Sequence, residues 1–458
     1  MAARASGSSS LLQPTQADRQ ARIMEQQIKQ RFRISLQEQI ANQISLAGTA
    51  ANDATVKALI ASTVASAVER TGGISSIEQE ELIADFTNEF LYFGPLQPLL
   101  ADETISEIMV NGGGFDKDGQ MLPHEVWIER NGKTERITGV HFDDEEHVRR
   151  IMNRICARQG RRIDDANPIE DATLPDGSRF NGTIYPLCPD GSSFNIRRFN
   201  QDMLTADDLV QHGTATPKEM EFLLTCVAAR CSILVSGGTG SGKTTLLNVL
   251  ASAIPKEERV ITIEDTCELL IYKQLPDVVR FEARKANSEG KGEVTLDDHL
   301  QASLRKRPDR IIIGECRGPE AYTMLEAMNT GHDGSMSTIH ANDPIAALNR
   351  LVTLAKQGDP TISEETIRAK IASALDMVVQ TQRLPDGSRR IVSVEAIGDY
   401  VDGHIQHEQL FSFERERSSG SSGAHVSCRC QPARIRRKIN DAGLPYKVDW
   451  FFPEQREA

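Results

Sequence analysis

Apolar residues recur at every fourth position through Met24, Ile28, Phe32, Leu36, Ile40 and Ile44. That spacing predicts a helix from Asp18 to about Leu46 with a slowly drifting apolar stripe. A second helical series runs through Val56, Leu59, Ile60, Val64 and Val68, and Gly72-Gly73 ends it. A third runs through Ile77, Leu82, Ile83, Phe86 and Phe90 to the break at FGPLQPLL. Three amphipathic helices in succession predict a small helical bundle over residues 17–93, its stripes packed as core. Residues 1–16, rich in Ser and Ala with Pro14, read as a disordered tail.

From Ile105 to about Phe199 the period shortens. The runs IMVN, VWIER, RITGV, RFNGTIYPL and SFNIRRF are separated by the turn sequences NGK, PDG and PDGS. One helix, about 144–159, interrupts them. This predicts an α+β domain over residues 94–200. Residues 201–217 are polar and read as a linker. Strand and helix then alternate: a helix at Lys218–Arg230, strand SILVSGG, a helix from Lys243, strands VITIED and VVRFEA, a helix at 295–307, strand RIIIGE, a helix at 319–330, strand SMSTIH and a helix at 345–357. That order predicts a doubly wound α/β domain over 218–413, closed by the hairpin VVQTQRLPDGSRRIVSVEAI. Residues 414–458, with RSSGSSG inside them, form a C-terminal extension with no assigned chemistry.

Bulk composition narrows the class. A chain of 458 residues is too long for one core. No apolar run approaches the roughly 20 residues needed to span a bilayer. Lys and Arg number 52 against 65 Asp and Glu, a net charge of −13, which argues against a dedicated nucleic-acid binder. Cys428 and Cys430 have no second ligand pair nearby and read as incidental thiols.

The chemistry begins at GGTGSGKTT, residues 237–245. Gly237, Gly242, Lys243 and Thr244 match G-x-x-x-x-G-K-[ST], with a strand before and a helix after. Gly237, Gly238, Thr239, Gly240, Ser241 and Gly242 form a loop whose backbone N–H groups can turn toward phosphate oxygens. The helix N-terminus opened by Lys243, Thr244 and Thr245 adds partial positive charge. Lys243 is expected to reach the β and γ phosphates of ATP and Thr244 to ligate Mg²⁺.

The strand PDRIIIGECRG, 308–318, poses a problem. Such a strand usually ends in an aspartate that helps hold magnesium. Here Gly314 follows the isoleucines, and the first carboxylate is Glu315. Glu264 and Asp265 stand at the C-terminal end of the strand VITIED, the end where ligands of open α/β sheets sit. Gly314 is expected to leave room beside the phosphates, and its strand delivers Glu315 to the same C-terminal edge. GHDGSMSTIHAND, 331–343, adds His332, Thr338 and His340 one strand along, a candidate γ-phosphate sensor.

The set GGTGSGKTT, TIEDTCEL, RPDRIIIGECRG and GHDGSMSTIHA resembles the Walker A, Asp box, atypical Walker B and His box of the ATPases that power type II and type IV secretion and type IV pili. ISEIMVNG, ATLPDGSRFNGTIYP and SFNIRRF are similar to the N-terminal domain of the CpaF/TadA-type branch. The resemblance spans about residues 90–413. It implies a PAS-like N-terminal domain, a RecA-like ATPase domain and a homohexameric ring. ATP would bind between the domains and beside a neighbouring subunit. It implies that Glu315 polarises the attacking water, that Glu264 and Asp265 hold Mg²⁺ or assist the base, and that His340 is the His-box residue. Arg179 and Arg197 are implied to approach the γ-phosphate, with Arg198 the alternative to Arg197. It implies a cytoplasmic motor, peripheral at the inner membrane, acting on a polytopic platform protein in secretion or pilus assembly.

The competing expectation is a RecA-like motor that translocates nucleic acid. Its support is a stripe of arginines, Arg149, Arg150, Arg154, Arg158, Arg161 and Arg162, which could track a phosphate backbone. The plainer reading pairs that stripe with Asp164, Asp165, Glu170 and Asp171. It also lacks stacking aromatics.

Overall fold

The computed structural model describes residues 31–45, 52–71, 74–130, 132–199, 203–286, 290–415, 423–428 and 430–451. The expected tail at 1–16, the first part of the first expected helix and all of RSSGSSG but Gly423 lie outside the described residues. The chain forms two units, Met1–Leu174 with Ser178–Arg198, and Pro175–Gly177 with Phe199–Ala458.

In the first unit, α1 (31–45), α2 (Asp53–Thr71) and α3 (Ser76–Leu91) pack on Leu36, Ile40, Val56, Ile60, Val64 and Phe86. The four-residue spacing is what brings these side chains to one face. Ser75 and Glu78 cap α3 reciprocally, satisfying two of its orphan N–H groups. After a short α4 (Gln97–Ala101) comes an antiparallel sheet of six strands in the order β3-β2-β1-β6-β5-β4. Its strands are β1 (Ile105–Asn111), β2 (Glu125–Arg130), β3 (Lys133–Ile137), β4 (Ile169–Thr173), β5 (Arg179–Thr183) and β6 (Ser193–Arg197). One face packs Ile108, Val110, Ile128, Phe180, Phe194 and Ile196 against Val148, Ile151, Met152 and Ile155 of α5 (Glu145–Ala157). Strand β4 escaped the sequence pattern because it is an edge strand, IEDAT, with Ala172 its one buried residue.

The arginines of the stripe bond within this unit. Arg154 donates to the carbonyls of Glu89 and Tyr92 at the end of α3, and Arg158 donates to Leu91 O. Arg161 pairs with Glu170 at 2.8 Å, Arg149 with Asp165 at 2.7 Å and Arg162 with Asp164 at 3.5 Å. Cations at a helix C-terminus are also favoured by its dipole. His147, buried between Glu89 and Asp143, is held to α3 at 2.9 Å. Burial opposes its charge, but the two carboxylates outweigh it and raise its pKa to about 9.

The second unit opens with α6 (Ala206–Gln211), inside the stretch expected to be a linker. Thr205 and Asp208 cap it reciprocally and Leu209 is buried, so a polar composition conceals a short anchored helix. Then follow α7 (Pro217–Ala228), β7 (Ile233–Gly237), α8 (Lys243–Ala251), β8 (Val260–Glu264), β9 (Val278–Glu282), α9 (Leu296–Ser303), β10 (Arg310–Ile313), α10 (Glu320–Asn329), β11 (Met336–Ile339), α11 (Pro344–Gly358) and α12 (Glu364–Ala374). The α12 helix was not foreseen. The α9 helix stops short of the expected residue 307, where Pro308 disfavours a helical residue before it and Arg307 takes φ 54°.

Strands β12 (Met377–Arg383), β13 (Arg389–Val401), β14 (His404–Arg415) and β15 (Gly423–Ser427) complete a sheet of nine, ordered β15-β14-β13-β12-β7-β11-β10-β8-β9. From β12 to β9 neighbouring strands are parallel, and the remaining pairs are antiparallel. Alternation divides the apolar residues between two cores. Val235, Val260 and Ile312 face α7 and α8, while Leu234, Ile261, Ile263, Ile311 and Ile313 face α10, α11 and α12. Burial on both faces explains the unbroken apolar runs of these strands. The C-terminal extension adds β15 and α13 (Ala433–Asp441), and seats Ile435, Ile439, Trp450 and Phe451 in the α7 and α8 core.

Candidate functional site

Ligands of parallel sheets sit at the C-terminal ends of the strands. Here β7 delivers the loop 237–242 directly into α8. Gly240 and Gly242 take φ 69° and 94°, the left-handed conformation that a side chain would strain. A side chain on Gly237 would collide with Ser241 and Thr381. Ser241 Oγ donates to Gly238 O and lies 2.9 Å from Thr381 Oγ1 on β12, so the neighbouring strand braces the loop. Gly242 caps α8 without any side-chain hydrogen bond, which leaves the helix N-terminus open to a ligand.

Lys243 is buried, and its ammonium donates to the carbonyls of Gly237 at 3.1 Å and Gly238 at 2.9 Å. Burial lowers its pKa, with Glu315 pulling the other way. His340 Nε2 lies 3.4 Å from Lys243 Nζ and 3.1 Å from Glu315 Oε1. The same ring nitrogen therefore faces a cation and a carboxylate. Burial lowers the His340 pKa, Glu315 raises it, and Lys243 adds to the lowering, which prevails. Thr338 donates to Gly314 O at 2.7 Å, tying β11 to the segment that carries Glu315. His332 is set apart, close to its own helix, at Ala327 O.

The alternation that sends Ile261 and Ile263 away from α8 sends Glu264 toward it. Its Oε2 accepts from Glu268 N at 2.7 Å and Leu269 N at 2.8 Å, clasping the loop that follows β8, while its buried Oε1 has no hydrogen bond. Burial raises its pKa to about 7. The expectation that Gly314 leaves space beside a phosphate is corrected here. A Cβ on Gly314 would lie 2.9 Å from Glu264 Cγ, so the missing side chain makes room for Glu264. Asp265 is half-exposed and paired with Arg317. Among the described residues no group of three His, Cys, Asp or Glu side chains could hold a metal ion.

Arg179 and Arg197 belong to the first unit. They are directly opposed on β5 and β6, on the face turned away from the core. Arg197 is exposed and reaches Glu107 at 3.9 Å, whereas Arg198 turns back to Asp102 O. Sequence reasoning missed Arg389, whose Nε donates to Gly240 O at 3.0 Å, and Arg317 on Asp265. The only signal for Arg389 was an arginine beside a PDGS turn.

The family model for type II/IV secretion system protein matches residues 92–441. The chain belongs to that family. The conjugal transfer protein TrbB of Rhizobium radiobacter is 32% identical over 322 residues, covering 69% of this chain and 91% of that protein. VirB11 of Rhizobium radiobacter is 32% identical over 322 residues, covering 64% and 89%. The solved structure of the pilus retraction motor PilT with bound ADP has a TM-score of 0.50 at 22% identity and covers 67% of this chain and 83% of that one. The fold of this secretion ATPase family member is the expected one, a RecA-like sheet preceded by an α+β domain and helices. No helix among the described residues is long and apolar enough to cross a membrane.

Proposed function

We propose that this chain is the ATP-hydrolysing motor subunit of a secretion or pilus-assembly machine. The line Lys243–His340–Glu315 beside an uncapped helix N-terminus carries the reading. The loop fits a polyphosphate: Gly240 and Gly242 are left-handed, its helix N-terminus is open, and its buried ammonium bonds weak carbonyl acceptors. Phosphate oxygens would replace those carbonyls as acceptors for Lys243. Glu315 would take a proton from the attacking water, with His340 holding its carboxylate. Magnesium, when bound, would neutralise developing phosphate charge, with Thr244 as its ligand and Asp265 and Glu264 reaching it through water.

Arg179 and Arg197, opposed on β5 and β6 of the first unit, would meet the γ-phosphate. The assembly would be a homohexamer of the CpaF/TadA-type branch, cytoplasmic and acting on an inner-membrane platform protein. The nucleic-acid reading has little left to rest on, since five of its six arginines bond within the chain. Glu315→Gln should keep ATP binding and cut hydrolysis by about 10²–10⁴. An unchanged rate would remove Glu315 from the chemistry. Sedimentation with nucleotide should give six subunits, and a monomer at every concentration would sink the ring.

A further inference from the structure

On the nine-stranded sheet, β12 lies on one side of β7, while β11 and then β10 lie on the other. His340 and Glu315 follow β11 and β10, so the terminal phosphate belongs on that side. The remainder of a nucleotide must then leave the loop on the opposite side, toward the β12–β13 hairpin. Two arginines stand there. Arg383 ends β12, Arg389 opens β13, and the register pairs them directly.

Arg389 is tethered to the loop through Gly240 O at 3.0 Å. A Cβ on Gly242 would lie 3.1 Å from Arg389 Cδ, and one on Gly240 would lie 3.9 Å from Arg383 Nη1. Both arginines are exposed. Like charges opposed across a hairpin cost stability unless something negative lies against them. A guanidinium offers a flat face to a purine ring and a fork of donors to a phosphate or sugar oxygen.

We infer that Arg383 and Arg389 grip the nucleoside end of the nucleotide, its sugar and base. This rests on the P-loop being a nucleotide site. Arg389 is held through Gly240 O, and that contact positions one half of the grip. Neither residue handles the terminal phosphate, which makes the division testable with a ligand that has no nucleoside.

The test compares ATP, ADP and inorganic tripolyphosphate binding by calorimetry to the full chain and to Arg383→Gln and Arg389→Gln. ADP and ATP affinity should fall by about tenfold or more in each variant, the loss expected of a charged hydrogen bond. Tripolyphosphate affinity should stay at the wild-type value. Arg383→Lys, which keeps the charge without the planar fork, should recover only part of the ADP affinity. Equal losses for tripolyphosphate and ADP would overturn the inference, because the arginines would then merely shape the loop. Unchanged ADP affinity would overturn it as well, leaving the P-loop assignment standing. Wild-type protein that binds none of the three ligands would overturn both.

Discussion

The two edges of the nine-stranded sheet use similar residues to opposite ends. At the N-terminal edge the buried charges of Asp376 and Arg310 have opposite charges beside them. Asp376, fully buried before β12, accepts from Ser232 N at 2.7 Å and from Lys438 Nζ at 2.7 Å, and pairs with Arg434 at 2.9 Å. Arg310, also fully buried, opens β10 and bonds Glu258 at 3.3 Å and Val227 O at 2.6 Å. At the C-terminal edge satisfaction is incomplete. Lys243 leans on carbonyls, Glu264 has a bare oxygen, and Arg383 faces Arg389. A paired buried charge holds a fold together, while an under-partnered one is poised for a ligand. The C-terminal extension, which looked idle in the sequence, supplies both cations of the Asp376 cluster.

Three substitutions probe that difference. Lys243→Ala should weaken ATP binding and lower turnover by about 10²–10³, since it removes the main cation of the phosphate cradle. Its thermal unfolding without nucleotide should barely move, and a large drop would mean that Lys243 is structural. Asp376→Ala leaves Arg434 and Lys438 without their buried partner and should cost about 3–5 kcal/mol in denaturant unfolding. Turnover per folded molecule should hold, and normal stability would erase the contrast between the edges.

The smallest effect is expected from Glu264→Gln, which keeps an acceptor for Glu268 N and Leu269 N and removes the buried charge. A carboxyl whose pKa is raised in the fold binds its proton more tightly there than in the unfolded chain. Ionisation therefore erodes stability as pH rises from the ordinary carboxyl range through about 7. The variant should be more stable than wild type by about 2–3 kcal/mol above pH 7, with the advantage gone near pH 4. Urea midpoints across that range measure it, and a pH-independent difference would place the ionised form elsewhere.

Much of this architecture was legible beforehand. Unbroken apolar runs marked the parallel strands, and four-residue spacing marked the helices. GGTGSGKTT between a strand and a helix declared its own conformation, because the glycines and their neighbours interact locally. The elements that escaped lack such a local signature. Strand β4 is polar because one side of it is open, and α6 is hidden by its own capping residues. Gly314 was read in terms of a phosphate because nothing near it in sequence points to Glu264, some fifty positions away on the next strand.

The same boundary runs through the site. By itself the chain specified its periodicities, its phosphate loop and the acids and histidines at the ends of particular strands, since backbone geometry and side-chain alternation act over a few residues. Tertiary structure decided which of those groups would meet. Glu315 comes within 3.1 Å of His340, Arg389 reaches Gly240 across 149 positions, and Arg434 and Lys438 close on Asp376 from the far end of the chain. Such pairings follow from strand order and packing, which no local pattern encodes.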